Sequence, residues 1–160
     1  MSKKIYFDMD GTIYNLYGIS NWLDRIEADD MTIFNEPGIM PNYRAVYNCV
    51  QDLIRLGWEV GIITWAPKGV SSKSSTFTRC KEAKRRWIDK AFPELQCDFH
   101  ILEYGTPKMT AIEITEADEV AILVDDNPVV RQDWNNSWFN AMTIDASMDG
   151  WENELGGLRG

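Results

Sequence analysis

The stretch "KIYFDMDGTIY", residues 4–14, decides how the rest of the chain is read. A short β-branched and aromatic run ends in Asp8 and Asp10, and Gly11 and Thr12 follow at once. Residues two apart on an extended chain start from the same face, so the two carboxylates are pressed together. Such a like-charged pair raises its own pKa or weakens the fold unless a cation or a reaction uses both groups.

Working outward, strand-like and helix-like segments alternate. "YRAVYNCVQDLIRLG" (43–57) places Val46, Cys49, Val50, Leu53 and Ile54 at helical spacing, with Gly57 as the C-terminal stop. "WEVGIIT" (58–64) reads as a buried strand ending at Thr64. A Ser- and Lys-rich loop (68–76) leads into a helix whose apolar positions are Phe77, Cys80, Ala83, Trp87, Ile88 and Ala91. "DFHILE" (98–103) reads as a third strand, "KMTAIEITEA" (108–117) as a short helix, "EVAILVDDNP" (119–128) as the clearest strand and "AMTID" (141–145) as a fifth. This alternation predicts a single α/β domain over 1–160, a Rossmann-like three-layer arrangement with helices covering both faces of a parallel sheet.

In open parallel sheets ligands bind beyond the carboxyl ends of the strands. That rule sorts the polar residues. Asp8 and Asp10 follow the first strand, Thr64 ends the second, Lys108 follows the third, and Asp125 and Asp126 end the fourth. Four carboxylates on one rim call for a divalent cation, and a small set of hard oxygen ligands suits Mg²⁺. The acidic spacing is not that of an EF-hand, and no His or Cys cluster suggests zinc. A carboxylate can also attack phosphorus to form an aspartyl-phosphate, while a second one protonates the leaving oxygen and then activates water. Gly11 lets the chain turn close to the phosphoryl group, Thr64 can donate to one of its oxygens and Lys108 can neutralise its charge.

The order "DMDGT", "GIIT", a lysine and "ILVDDNP" resembles the four motifs of the haloacid dehalogenase superfamily of phosphohydrolases, over nearly the whole chain. The resemblance implies Asp8 as nucleophile, and Asp10 as general acid and base that also offers a backbone carbonyl to Mg²⁺. It implies Thr64 as the motif II hydroxyl, and Gly11 and Thr12 beside the phosphate. Lys108 best matches motif III, with Lys84 and Lys90 as alternatives. In motif IV, Asp126 is expected as the direct Mg²⁺ ligand and Asp125 as its close partner. "TWAPK" (64–68), "KRRWIDKAFP" (84–93) and "DDNP" (125–128) further resemble the 5'(3')-deoxyribonucleotidase branch, which places Lys84 on the substrate phosphate and Trp65 and Lys68 at the substrate. Lys84 also falls on the apolar stripe of its helix, which fits equally a packed stem with a snorkelling charge. Trp65 stands where that branch has the serine of Thr-Ser-Pro, and Ala66 is extra before Pro67. The cap region of the family is reduced here to one insertion, about 14–37.

Composition bounds the rest. The net charge of −9 argues against a protein that coats long nucleic acids. Residues 68–90 nevertheless carry +6, an island suited to a compact anion or, more plainly, a solvated helix face. No run of about 18 apolar residues appears, so no membrane span is expected, and "MSKKIYF" lacks the apolar stretch and small-residue cleavage site of a signal peptide. Cys49, Cys80 and Cys97 fit neither a zinc site nor a disulfide framework, so a reducing, cytoplasmic setting is expected. His100 reads as a strand residue. Tyr14, Tyr17, Trp22 and Phe34 read as pocket lining or as core, with core favoured for at least two. Trp134, Trp138 and Trp151 read as packing or a homodimer contact.

The sequence therefore predicts a Mg²⁺-dependent phosphomonoesterase, a 5'-nucleotidase acting on a small nucleoside monophosphate. The alternatives are a phosphatase of nucleic-acid 3'-phosphate ends or phosphoproteins, and, from another class, a receiver-like or non-catalytic phosphate-binding module.

Overall fold

In the computed structural model, residues 2–95, 98–117 and 119–159 are described, so Cys97 lies outside the described residues. Five parallel strands form one sheet in the order β3-β2-β1-β4-β5: β1 (Lys3–Phe7), β2 (Glu59–Trp65), β3 (Asp98–Leu102), β4 (Val120–Asp125) and β5 (Ala141–Asp145). The chain first builds outward from β1 through β2 to β3, then crosses back to set β4 on the other side of β1. The switch in strand order thus lies between β1 and β4, and their carboxyl ends open the crevice where such sheets bind ligands.

The two faces divide the strand residues by parity. Ile5, Phe7, Ile62, Ile122 and Val124 face a large core closed by α2 (Tyr43–Arg55), α3 (Ser75–Ala91) and α5 (Glu152–Gly157). Tyr6, Ile63, Ala121 and Leu123 face a smaller one under α4 (Pro128–Ser137). A strand buried on both sides has no polar position to give, which explains the unbroken run "VAILV".

Local signals fix the helix ends. Gly57, at φ +91°, closes α2, with Gly57 N–H donating to the Ile54 carbonyl at 3.0 Å and Trp58 N–H to that of Leu53 at 3.0 Å. Ile54, although on the apolar spacing, stays 38% exposed. Ser74 caps α3 by accepting from Phe77 N–H at 3.2 Å. Asn127 caps α4 by accepting from Val129 and Val130 N–H, with Pro128 in the first turn.

The helix expected over 108–117 forms only as the single 3₁₀ turn Lys108–Ala111. Past it, Ile112 and Ile114 pack against the smaller core at a spacing of two, and with Thr115 they supply β-branched side chains that disfavour helix. Cys49 and Cys80 are free, buried thiols. Trp134 and Trp151 are core residues, and Trp138 donates to the Glu119 carbonyl at 3.2 Å. His100 lies on β3 with Nε2 2.7 Å from Asp98. Among the described residues no helix is long and apolar enough to cross a membrane.

Between β1 and α2 the segment 15–38 leaves the sheet and returns, joined at its base by Asn15 N–H donating to the Gly38 carbonyl at 2.9 Å. It holds 3₁₀ turns at Leu16–Gly18 and Met31–Asn35 and α1 (Trp22–Glu27). Arg25 ties it internally, reaching Asp30, Thr32 and Glu36, each at 3.1 Å. Tyr14 is fully buried beneath it, its hydroxyl donating to the Ile33 carbonyl.

Candidate active site

The chain after β1 remains in the sheet for one more residue, Asp8 N–H donating to the Val124 carbonyl at 2.9 Å, and then coils tightly. The carbonyl of fully buried Met9 accepts from the N–H groups of Thr12, Ile13 and Tyr14 at 3.2, 3.0 and 2.8 Å. Closing this loop requires φ +81° at Gly11, and a Cβ there would sit 2.5 Å from both Asp126 Oδ2 and Tyr17 Cε2. Glycine is needed for the backbone angle and for the space alike.

The loop delivers Asp8 and Asp10 to different partners. Lys108 Nζ donates to Asp8 Oδ1 at 2.8 Å and to Asp125 Oδ2 at 2.7 Å, bridging the ends of β1 and β4. Thr12 Oγ1 lies 3.4 Å from Asp8 Oδ2, and Asn127 N–H donates to Asp125 Oδ1 at 2.9 Å. Lys84, 1% exposed, reaches in from α3 to donate to Asp10 Oδ2 at 2.9 Å, Thr64 Oγ1 at 2.8 Å and the Trp65 carbonyl at 2.9 Å. Its ammonium also lies 5.2 Å from the Phe34 ring centre. The two acids of the opening motif are therefore not left against each other, because each has its own lysine.

Charge is still out of balance. Four carboxylates, Asp8, Asp10, Asp125 and Asp126, face two ammonium groups. Burial, then the charge of Asp8, lifts Asp125 to about 6; burial, then Asp8 and Asp125, lifts Asp126 to about 7. Burial also raises Asp10 against the opposing pull of Lys84, and its Oδ1 is buried with no partner. Burial pulls both lysines down, but the carboxylates they touch outweigh it and hold them above the ordinary range: for Lys84 chiefly Asp10, for Lys108 chiefly Asp8 and Asp125.

Asp8, Asp125 and Asp126 offer carboxylate oxygens within 4.8 Å of one another. An all-oxygen set of three carboxylates against the one ammonium of Lys108 fits a hard divalent cation. Both Asp125 oxygens already accept hydrogen bonds, whereas half-buried Asp126 lines the cavity. Asp10 takes no part in this cluster through its side chain.

Above these groups lies a cavity of about 340 Å³. Its floor includes Asp8, Asp10, Thr64, Lys84, Lys108, Asp125 and Asp126. One wall carries Tyr17 against Trp22, ring centres 4.9 Å apart, and the other carries Trp65 against Tyr104 at the same distance. Lys68 stands exposed at its edge. The structure thus brings Asp8, Asp10, Thr64, Trp65, Lys68, Lys84, Lys108, Asp125 and Asp126 to one cavity. Gly11 and Thr12 are not in its lining, and Thr12 is fully buried under Asp8. Lys90 is exposed on α3 and is not in the lining.

Sequence reasoning missed Arg131, whose Nη1 donates to the Asp125 carbonyl and to Asp145 Oδ1, both at 3.0 Å. It also missed Tyr104 and Asn127. The Asn-Pro pair was the available signal for the cap; nothing local marks the other two.

No protein-family model matches the sequence, and no curated protein matches it. Among solved structures, the D,D-heptose 1,7-bisphosphate phosphatase from Burkholderia thailandensis is similar, with a TM-score of 0.56 and 13% identity over 98% of each chain. At that identity the likeness is one of fold: a parallel α/β sheet with helices on both faces.

Proposed function

We propose that the protein is a Mg²⁺-dependent phosphomonoesterase that works through an aspartyl-phosphate on Asp8 and acts on nucleoside monophosphates. The observation that carries this reading is the Lys108 bridge between Asp8 and Asp125, set beside Asp126 at the switch point of the sheet and open to a cavity. The order of the four motifs and the fold of a phosphatase over 98% of the chain support it.

In the first step an Asp8 carboxylate oxygen attacks phosphorus. The bond from phosphorus to the ester oxygen breaks, and Asp10 gives that oxygen its proton. Asp10 suits the role of acid because burial favours its protonated form and Oδ1 has no other partner. In the second step Asp10 takes a proton from water, whose oxygen attacks the phosphorus. The bond to Asp8 breaks, freeing phosphate and restoring the carboxylate. Thr64 and Lys108 supply fixed donors for the phosphoryl oxygens, and Lys84, its three protons committed to Asp10, Thr64 and the Trp65 carbonyl, adds its positive charge. A divalent cation held by Asp8, Asp126 and Asp125 would neutralise charge on the phosphoryl group.

The substrate class is read from the walls. A cavity of about 340 Å³ suits a small molecule, and aromatic faces accept any base. The segment 15–38 serves as a small cap over the leaving group. The test is phosphate release from deoxy- and ribonucleoside monophosphates, an aryl phosphate and a 3'-phosphorylated oligonucleotide, with and without Mg²⁺, for wild type beside Asp8→Asn. Mg²⁺-dependent release from mononucleotides, lost in Asp8→Asn, is expected. Release from the oligonucleotide alone would overturn the substrate, and release from none would overturn the activity.

A further inference from the structure

We infer that Trp65 is a positioning residue whose indole fixes the loop that carries Lys108 to Asp8 and Asp125. Its kinetic arm rests on the phosphatase reading; its structural arm does not.

The ladder between β2 and β3 ends at the pair Trp65 and Leu102, and one last bond, Ala66 N–H to the Leu102 carbonyl at 2.8 Å, closes it. The chain then leaves the sheet for residues 103–107, turns through Gly105 at φ +88°, and must set Lys108 back on the rim. Within this loop one backbone bond forms, Thr106 N–H to the Glu103 carbonyl at 3.1 Å. From the helical turn that follows, Thr110 N–H and Oγ1 donate to the Pro107 carbonyl at 3.1 and 2.7 Å, and two further hydrogen bonds come from distant segments. Glu103 Oε1 accepts from Ser72 N–H at 2.6 Å, and Trp65 Nε1 donates to the Thr106 carbonyl at 2.8 Å.

Trp65 makes two further contacts on the same path. Its ring packs on Tyr104, centres 4.9 Å apart at 56°, and Lys108 Nζ lies 5.5 Å from its centre. Between Thr106 and Lys108 stands Pro107, whose φ is set by its ring. Fixing the Thr106 carbonyl therefore fixes the direction in which Lys108 departs. Because the indole N–H is committed to Thr106, Trp65 presents its ring to the cavity and has no donor left for a phosphoryl oxygen. That separates it from the serine it replaces in the motif. The indole N–H works through Lys108 rather than on the substrate.

The test is a double-mutant cycle of Trp65→Phe, which keeps a ring and removes the N–H, with Lys108→Gln. Kinetics on a small aryl phosphate are joined by amide hydrogen exchange. In Trp65→Phe, exchange over residues 103–109 is expected to rise roughly tenfold while α2 and β4 are unchanged. The same variant should lose roughly tenfold in kcat with KM within about twofold, and should cost less than about twofold once Lys108 is already Gln. Tyr104→Ala, which thins the same contact from its exposed side, should move both readouts in the same direction by a smaller factor. Unchanged exchange in the loop, losses that multiply in the double variant, or a rise in KM alone would each overturn the inference. If wild type hydrolyses no phosphate ester, the exchange arm still decides whether Trp65 holds the loop.

Discussion

The rim of the sheet and the segment 15–38 face each other across one cavity and are built on opposite plans. The rim is charged and buried: Lys84 and Lys108 are 1% and 4% exposed and make three and two hydrogen bonds to fixed acceptors. The segment rests on buried Leu16, Met31, Ile33 and Phe34, but the part that meets the cavity through Tyr17 and α1 is aromatic and open: Tyr17 is 53% exposed, and α1 contains no fully buried residue. Buried, cross-braced charges hold one geometry because any other leaves an ion unpaired in a poor solvent. Aromatic rings on a 3₁₀ turn and a short, half-wet helix hold area rather than geometry. The rim is thus suited to bond making and the segment to recognition, and substitutions should separate along that line.

The largest effect belongs to Asp8. Replacing it by Asn keeps the size of the side chain and its capacity to accept from Lys108, but removes the carboxylate proposed as nucleophile. Activity should fall at least ~10³-fold, while thermal stability holds, as read by steady-state kinetics beside a melting curve. A folded Asp8→Asn variant with more than a tenth of wild-type activity would erase the distinction between rim and wall.

Next is Lys108→Met. It leaves Asp8 and Asp125 facing Asp126 with no ammonium among them, and breaking such a buried pair costs about 3 kcal/mol. Both kcat and the denaturation midpoint should drop. Mg²⁺ should restore part of the stability because it binds only the folded cluster. If denaturant melts with and without Mg²⁺ coincide, the cluster does not hold the ion.

A third measurement uses pH. In the folded chain Asp125 and Asp126 are held above the ordinary carboxylate range, at about 6 and about 7, by burial and by Asp8. The folded state then carries more protons than the unfolded chain. Their contribution is complete below about pH 4 and is lost as pH rises through 6 to 7. Asp145 and Glu103, held below the ordinary range by their hydrogen bonds to Ser147 and Ser72, act at lower pH and do not enter this window. The melting temperature of the metal-free protein should fall on the order of 5 °C between pH 5 and 8. Mg²⁺ should restore it at pH 8 and do little at pH 5.

The same contrast governs what the sequence discloses. Asp8, Asp10, Thr64, Asp125 and Asp126 are legible because each sits at the end of an apolar run whose period is local, and the topology rule then sends all of them to one edge. The choice between Lys84 and Lys108 is not legible, since both reach the site and only contacts between distant segments show which acid each takes. Thr12, one residue past Gly11, looks like a substrate contact until the tight loop on the Met9 carbonyl turns it inward. The wall is least legible of all. The segment 15–38 consists of two 3₁₀ turns and a six-residue helix entered through Asn21 at φ +58°, too short for a hydrophobic period to register. Of the four aromatics weighed there, Tyr14 is buried core, Phe34 is buried and also meets the cavity, and Tyr17 and Trp22 line it from its more open side.

The smallest expected effect gives the sharpest test of the comparison. Trp22 packs its ring at 78° on Tyr17, lines the cavity and rests partly buried against the main core. Trp22→Ala removes stacking area, so KM for a nucleoside monophosphate should rise roughly tenfold, in line with about 1–3 kcal/mol per stacked base. Turnover should stay within about twofold, since none of the groups proposed to meet phosphorus is altered. A phosphate ester with a small alkyl leaving group has no ring to stack and should show no change in either constant. Because α1 buries no residue fully, the melting temperature should shift by no more than about 4 °C. Should kcat fall instead, and fall equally for the alkyl ester, the segment would be holding the geometry of the floor through Tyr17, whose ring lies against the Gly11 turn. Recognition and chemistry would then share one structure, and the division between wall and rim would fail at Tyr17.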